Sequence, residues 1–350
     1  MKTTIKAGII YLARITGTIR LILFLFRRRV VILMLHGVMD SNTKSQWQPT
    51  WGRTSCRELD ETLNRLSKHC HFISMDEAVS MLSGKQVLKP NSIVLTFDDG
   101  YSNNLTHALP ILQKYRADFI IYIATRYVRE RVAFWVDDID YALSCLVGQS
   151  SVEVSLGGET YTFHLPDRRT YKSSYAKFRK HLKAMSFKDD YEMLATVESV
   201  AQQLGKLSGK SLHDILEQDP WTRPMTTEDL RQASVATHIG AHTENHIRVT
   251  KVNADALQQE LLEPKAELET LTQQPCHHFC YPSGDFDDNT AQRVSDAGYH
   301  SAVTSVAGTN VVGISPFHLK RFSFPQISKP SDADFWLAKE LLRERFARTQ

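Results

Sequence analysis

Ser92-Ile93-Val94-Leu95-Thr96-Phe97-Asp98-Asp99-Gly100-Tyr101 is the stretch around which the rest of the chain is organised. Its apolar, β-branched first half reads as a buried strand. The strand stops at two adjacent carboxylates, a glycine and an aromatic. Neighbouring side chains of an extended chain point to opposite sides. Asp98 and Asp99 therefore share a site only if the chain turns there, and Gly100 makes such a turn easy. Two carboxylates this close repel each other unless a cation or a shared proton lies between them. One reading is a metal site, with one aspartate as ligand and the other free to handle a proton. The other is a solvated strand-to-helix turn capped by an aspartate.

Outward from this stretch the pattern repeats. Val30 to Leu35 reads as a second buried strand and ends at His36-Gly37. Residues 57–68 and 75–83 have helical spacing, as does 104–115, where Pro110 predicts a kink or a late start. Phe119 to Ala124 is a further strand, so strand, helix and strand make a βαβ unit and imply a parallel sheet. Residues 130–225 break this rhythm. They hold a hairpin turning on Gly157-Gly158, then charged helices over 170–205, and read as an insertion. The rhythm then resumes. A short strand, Ala236 to Gly240, delivers His242-Thr243-Glu244-Asn245-His246, and Phe279 to Tyr281 leads into Pro282. Residues 301–304 form another strand, His318 to Phe324 the last one, and 331–348 a closing helix. No internal repeat interrupts the order.

The strand ends thus carry His36, Asp98, Asp99, His242, His246, Tyr281, Pro282 and Arg321. A parallel α/β sheet or barrel gathers such positions on one face. His242 and His246, four apart, can converge on one ion. Two histidines and a carboxylate leave positions open for water and substrate, as a catalytic metal requires.

At this point the chain resembles the polysaccharide deacetylases, carbohydrate esterase family 4 with the NodB homology domain. Thr96-Phe97-Asp98-Asp99-Gly100-Tyr101 and His242-Thr243-Glu244-Asn245-His246 are similar to the family's first two motifs, and Phe279-Cys280-Tyr281-Pro282-Ser283-Gly284 to a variant of the third. The resemblance runs from about Val30 to Phe324. It implies a distorted (β/α) barrel of about seven parallel strands, here with an inserted subdomain. It also implies a metal-dependent hydrolase that deacetylates N-acetylated sugars of a polysaccharide or glycan intermediate. Carried over by position, Asp99, His242 and His246 become the metal ligands and Asp98 the base. A backbone N–H near Tyr101 holds the oxyanion, with Tyr281 and Pro282 beside the substrate. Zinc suits this ligand set, with cobalt, nickel or manganese as alternatives.

Two departures stand out. Where the family often has an arginine paired to the base, this chain has Cys280, and Arg321 is the candidate replacement. The family's late Leu-x-His motif is missing, which leaves His36 as the first candidate for the general acid and His318 as a weaker one. An O-acetyl esterase and a catalytically inactive carbohydrate-binding protein are the alternative functions.

The chain has 350 residues and a net charge of +3, unevenly placed. Seven basic residues precede the first acid, Asp40, leaving 35 basic against 39 acidic residues beyond them. The main domain, residues 30–350 with its insertion at about 130–225, is therefore no nucleic-acid binder by charge. Residues 1–29 alternate apolar patches with basic residues. Their longest uncharged apolar run, Leu21 to Phe26, is six residues, against the roughly 20 needed to span a bilayer. They read either as a basic amphipathic segment on a membrane surface or as a helix packed on the domain. Localisation is expected to be cytoplasmic or peripheral to a membrane, with export as the alternative. Five cysteines at no framework spacing suggest free thiols. Cys276 and Cys280 flank His277 and His278, but this spacing fits no structural zinc pattern.

Overall fold

The computed structural model describes residues 2–347 except Ser41, Lys44, Gln46, Trp51, Gly52 and Ser328. The strands in chain order are β1 (Val30–Leu35), β2 (Gly37–Met39), β3 (Arg53–Ser55), β4 (His71–Phe72), β5 (Ser92–Phe97) and β6 (Phe119–Ile123). They continue with β7 (Ser151–Leu156), β8 (Glu159–His164), β9 (His238–Ala241), β10 (His278–Cys280), β11 (Ser301–Val303) and β12 (Phe322–Ser323). The main sheet has the order β11-β10-β9-β6-β5-β1-β12, with β4 paired to the start of β5. Every pair in it is parallel. It curls into the distorted barrel of an α/β fold.

The open seam is bridged from the segment before β12. Thr304 N–H donates to the Leu319 carbonyl at 2.8 Å and Leu319 N–H to that of Ala302 at 3.2 Å. Phe322 then pairs with Leu33 of β1. The last strand is consequently two residues long, shorter than the expected 318–324, because this segment changes partner between Leu319 and Phe322.

Strand periodicity sorts the side chains. Val31, Leu33, Leu35, Ile93, Leu95, Phe97, Ile121 and Ile123 face outward into the main core, under the flanking helices. Val30, Ile32, Val94, Ile120, Tyr122, Cys280 and Val303 face inward, and Met75, Ala78, Met81 and Leu82 pack among them. The helix Met75–Leu82 therefore closes the end of the barrel at which the strands start. Gly240 on β9 belongs to the crowded interior: a Cβ there would lie 2.5 Å from the Tyr122 ring.

The expected kink near Pro110 is a late start. A single π-helical turn, Asn104–Ala108, precedes the helix Leu109–Lys114, which carries the proline in its first turn. Proline fits there because the first N–H groups of a helix have no intrahelical acceptor.

Three helices (Trp135–Cys145, Arg168–Ala184 and Asp190–Ser208) and the β7–β8 hairpin form the insertion. It has its own apolar core, with Ile139, Leu143, Phe163, Tyr171, Phe178, Val197 and Leu204 at the centre. Arg53, beside β2, is bonded to Asp137 at 3.1 Å, and Arg248 to Asp190 at 2.5 Å. The first pair ties the insertion to β3 and the second to the loop after β9.

Two helices, Lys2–Ile15 and Thr18–Leu25, lead into β1. Ile19, Leu23 and Phe26 pack in the main core with Leu337, Ala338 and Leu341 of the closing helix Ala333–Ala347. Among the described residues no single helix is long and apolar enough to cross a membrane; Gly8–Ile15 and Thr18–Leu25 reach that composition only as a pair bent by 69°.

Candidate active site

The inward register of β5 runs Ser92, Val94, Thr96 and then Asp98, so strand periodicity alone aims Asp98 into the barrel mouth. Asp99 follows with φ 78°. That left-handed turn brings the second carboxylate to the same side. Gly100 continues it at φ 81°, where a Cβ would lie 2.6 Å from Ile123 Cδ1. His36 comes in the same way, as the next inward position after Val30, Ile32 and Met34 of β1. His242 follows the inward Gly240 of β9, and its N–H donates to the Ile123 carbonyl at 2.8 Å.

Asp99 Oδ1 lies 3.6 Å from His242 Nε2 and 3.5 Å from His246 Nε2. These three residues place ligand atoms within 4.8 Å of one another. His242 Nδ1 is 2.7 Å from the Cys280 carbonyl. That carbonyl only accepts, so Nδ1 carries the proton and Nε2 offers its lone pair to the site. Burial pushes both histidines down, His242 to about 3 and His246 to about 4, so both are neutral at pH 7. Burial pushes Asp99 the other way, to about 6, with the Asp98 charge also raising it and His36 opposing. Two neutral imidazoles and a crowded carboxylate fit a divalent cation.

Asp98 differs from its neighbour. Arg321 donates to it in a fork, Nη1 to Oδ1 at 2.7 Å and Nη2 to Oδ2 at 2.8 Å. Burial disfavours the charge, but the Arg321 guanidinium outweighs it, with His242 and His36 adding, and the carboxyl sits well below the usual range. Arg321 is itself held by the Thr304 carbonyl at 2.8 Å and Thr96 Oγ1 at 3.0 Å. Its Nη2 lies 3.2 Å from Cys280 Sγ, so the small thiol leaves room for an arginine arriving from the far end of the chain.

A cavity of about 340 Å³ opens over these groups. His36, Asp98, Asp99, His242, His246, Tyr281 and Arg321 line it from the barrel. Trp135, Arg179, Lys183 and Met193 line it from the insertion. The other predicted residues lie differently. The Tyr101 side chain is turned away, buried, with its hydroxyl donating to Asp137 at 2.7 Å and Arg53 over its ring. Its backbone is paired with Pro224, so its own N–H points away from that segment. Pro282 is buried and starts the turn that presents Ser283 and Gly284 to the cavity. His318 does not line the cavity; it lies 3.5 Å from the exposed Asp288.

Glu260 was missed from sequence. This fully buried carboxylate accepts from the N–H groups of Glu244 (2.8 Å) and Asn245 (3.0 Å) and from the Asn245 side chain (2.7 Å). It fixes the loop between the two histidines, where Thr243 and His246 hold φ of 62° and 55°. The readable signal was its place on the apolar face of a helix beside Leu257 and Leu261. Arg53 left no local signal, whereas Trp135 and Asp137 stand in the acidic, aromatic stretch that opens the insertion, which the sequence left open as either an element over the site or decoration.

A buried carboxylate–imidazole cluster thus lies beside a second, arginine-held carboxylate at the mouth of a parallel barrel. The chain belongs to the polysaccharide deacetylase family, whose family model matches residues 85–302. Carbohydrate deacetylation is the activity this membership supports.

Among solved structures the chain is similar to the Streptococcus pyogenes deacetylase PplD in complex with acetate, at 16% identity over 89% of this chain and 98% of that one, with a TM-score of 0.55. It is similar to IcaB from Ammonifex degensii at 17% identity over 87% and 96%, with a TM-score of 0.53. It is also similar to BC0361, a polysaccharide deacetylase from Bacillus cereus, at 15% identity over 90% and 70%, with a TM-score of 0.53. At these identities the likeness is one of fold. No curated protein matches the chain in sequence.

Proposed function

We propose that the chain is a metal-dependent hydrolase that removes acetyl groups from N-acetylated sugars of a polysaccharide or glycan intermediate. The observation that carries this reading is the division of labour between adjacent carboxylates, with Asp99 facing His242 and His246 and Asp98 clamped by Arg321. Asp99, His242 and His246 would hold the cation, for which zinc is best suited and cobalt, nickel or manganese are alternatives. When bound, such a cation acidifies water and polarises an acyl carbonyl.

The chain's own groups do the rest. Asp98 stays ionised because Arg321 holds it so, and takes the proton from the attacking water. The Tyr101 N–H, free of the neighbouring segment, donates to the oxyanion. His36, close enough to Asp98 and Asp99 for its charge to lower both, protonates the leaving amine. The products are acetate and the free amino sugar. Trp135 supplies aromatic surface for the sugar, whereas the Tyr281 ring expected beside the substrate is fully buried, with its hydroxyl donating to the Phe317 carbonyl at 3.1 Å.

The test is acetate release from a panel of N-acetylglucosamine oligomers and O-acetylated glycans, with wild type and Asp98→Asn loaded with zinc. Asp98→Asn should keep its metal and lose turnover by about 10²-fold or more. Equal turnover by the two proteins would remove Asp98 as base. Preference for the O-acetylated members would make the enzyme an esterase. A metal-loaded wild type with no release but with glycan affinity would make it a binding protein.

A lipid surface is the second partner in this reading. Of the fifteen exposed large apolar side chains among the described residues, seven (Ile9, Tyr11, Leu12, Ile15, Leu21, Phe24 and Leu25) lie on the two N-terminal helices. Arg20 and Arg28 are exposed beside them. Apolar side chains rimmed by cations are the chemistry of an interfacial helix on anionic lipid. The full-length protein should float with vesicles containing phosphatidylglycerol and float less with pure phosphatidylcholine. Leu21→Asp with Phe24→Asp should abolish flotation. Equal flotation of this variant and wild type would rule out the patch.

A further inference from the structure

At the opposite end of the barrel the same inward register gathers a second set of ligand atoms. His238 starts β9 at an inward position, two residues before Gly240. His278 starts β10, two before the inward Cys280. Ser301 starts β11, two before the inward Val303. Asp76 reaches them from the first turn of Met75–Leu82, the helix that closes this end. Its carboxylate accepts from, or faces, two imidazoles at once: Oδ2 lies 3.1 Å from His238 Nδ1 and Oδ1 lies 3.1 Å from His278 Nε2. The ligand atoms of all three lie within 4.8 Å of one another.

We propose that Asp76, His238 and His278 form a second divalent-cation site, at the closed end of the barrel, with zinc as the ion it suits best. The donor set is one carboxylate and two imidazoles, as hard and as soft as a borderline dication prefers. The orientation of His278 supports it. This residue is buried, and its Nδ1 is engaged by Ser301 Oγ at 2.9 Å. The ring is thereby fixed with Nε2 aimed at Asp76, the outer-shell arrangement that metal-ligating histidines usually have. A further nitrogen is at hand, since His277 Nδ1 lies 3.8 Å from Asp76 Oδ1 and its ring stacks on His300 at 4.0 Å. Asp76 and His238 are half exposed, which leaves an entry path. The ion would join the closing helix to two strands and so act on stability, not on acetate release.

A purely structural hydrogen-bond triad is the competing account, and zinc stoichiometry separates the two. Full-length wild type, His238→Gln, Asp99→Asn and the double variant are stripped of metal, dialysed against micromolar zinc and analysed for bound zinc. Wild type should hold two equivalents, each single variant one, and the double variant none. The melting temperature of Asp99→Asn should rise by about 4 °C at zinc a hundredfold above Kd, and that of the double variant should not move. His238→Gln should release acetate at the wild-type rate. Equal zinc content in wild type and His238→Gln overturns the proposal. Loss of zinc from His238→Gln with none lost from Asp99→Asn would uphold it while overturning the active-site metal, so the two readings fail separately.

Discussion

Arg321 meets Asp98 across 223 positions of chain, and its consequence is chemical, not only structural. A base must be ionised before it can take a proton, and burial alone would raise a carboxyl. The guanidinium reverses that shift. Removing the cation lets the Asp98 pKa rise, so under the proposed mechanism the base is protonated at higher pH and the acid limb of the kcat profile moves up. Arg321→Ala should show this shift together with a fall in kcat of about 10²-fold or more, read from pH–rate profiles of the zinc-loaded protein. An unchanged profile at full activity would show that Asp98 needs no partner. At this scale the sequence speaks clearly where chemistry is contiguous. Asp98, Asp99, His242 and His246 stand in two short runs at strand ends, and the structure places their side chains together. Glu260 lies in a helix with no motif of its own, and Arg53 acts through a carboxylate in the insertion, so neither announces a role locally.

Strands and helices were legible wherever pattern carried them: the continuous apolar, β-branched runs of β1, β5 and β6, and the amphipathic helices between them. The closing helix Met75–Leu82 was legible as a helix but not as a plug, because a single apolar stripe looks the same whether it packs outside a sheet or across its end. The two- and three-residue strands were less legible, since such lengths carry almost no period. The loop after β9 has the same difficulty. Its shape is set by Glu260 on the helix Ala254–Thr272, which absorbs two backbone N–H groups and one amide while Thr243 and His246 hold left-handed conformations. The Tyr191 hydroxyl also donates to Glu260, at 2.8 Å, so Glu260→Gln can turn that acceptor into a donor facing the Asn245 amide and the Tyr191 hydroxyl. Partners behind metal ligands are typically worth 10–100-fold in affinity, and this variant should lose about that much zinc affinity at the Asp99 site. Excess metal should restore most of its kcat. An affinity equal to wild type, by competition with a zinc chelator, would mean that the loop holds its shape without Glu260.

For the whole molecule, the order of strand ends implied a parallel α/β sheet or barrel, and the family resemblance singled out the barrel. The way the chain's two ends meet was not legible, since it depends on residues more than 300 positions apart. Asp334, at the start of the closing helix, receives Arg14 at 2.8 Å and Arg65 at 2.5 Å. One carboxylate thus joins the first N-terminal helix, the barrel flank and the C-terminal helix. Its side chain is 1% exposed; burial opposes its charge, and the hydrogen bonds of Arg65 and Arg14 outweigh that, lowering its pKa. A carboxyl lowered on folding adds stability above its unfolded pKa of about 4 and loses that contribution as pH falls through its folded value. Breaking such a pair strands two arginines near a buried position, so Asp334→Ala should cost about 3 kcal/mol at neutral pH. The gap between variant and wild type, from denaturant melts, should be constant above about pH 5 and narrow below about pH 4. Hydrogen exchange should locate the loss, with amides of residues 9–25 exchanging faster in the variant while β5 and β6 hold. A pH-independent gap would trace the effect to packing rather than charge. Unchanged exchange over residues 9–25 would show that the N-terminal helices are held by Ile19, Leu23 and Phe26 alone.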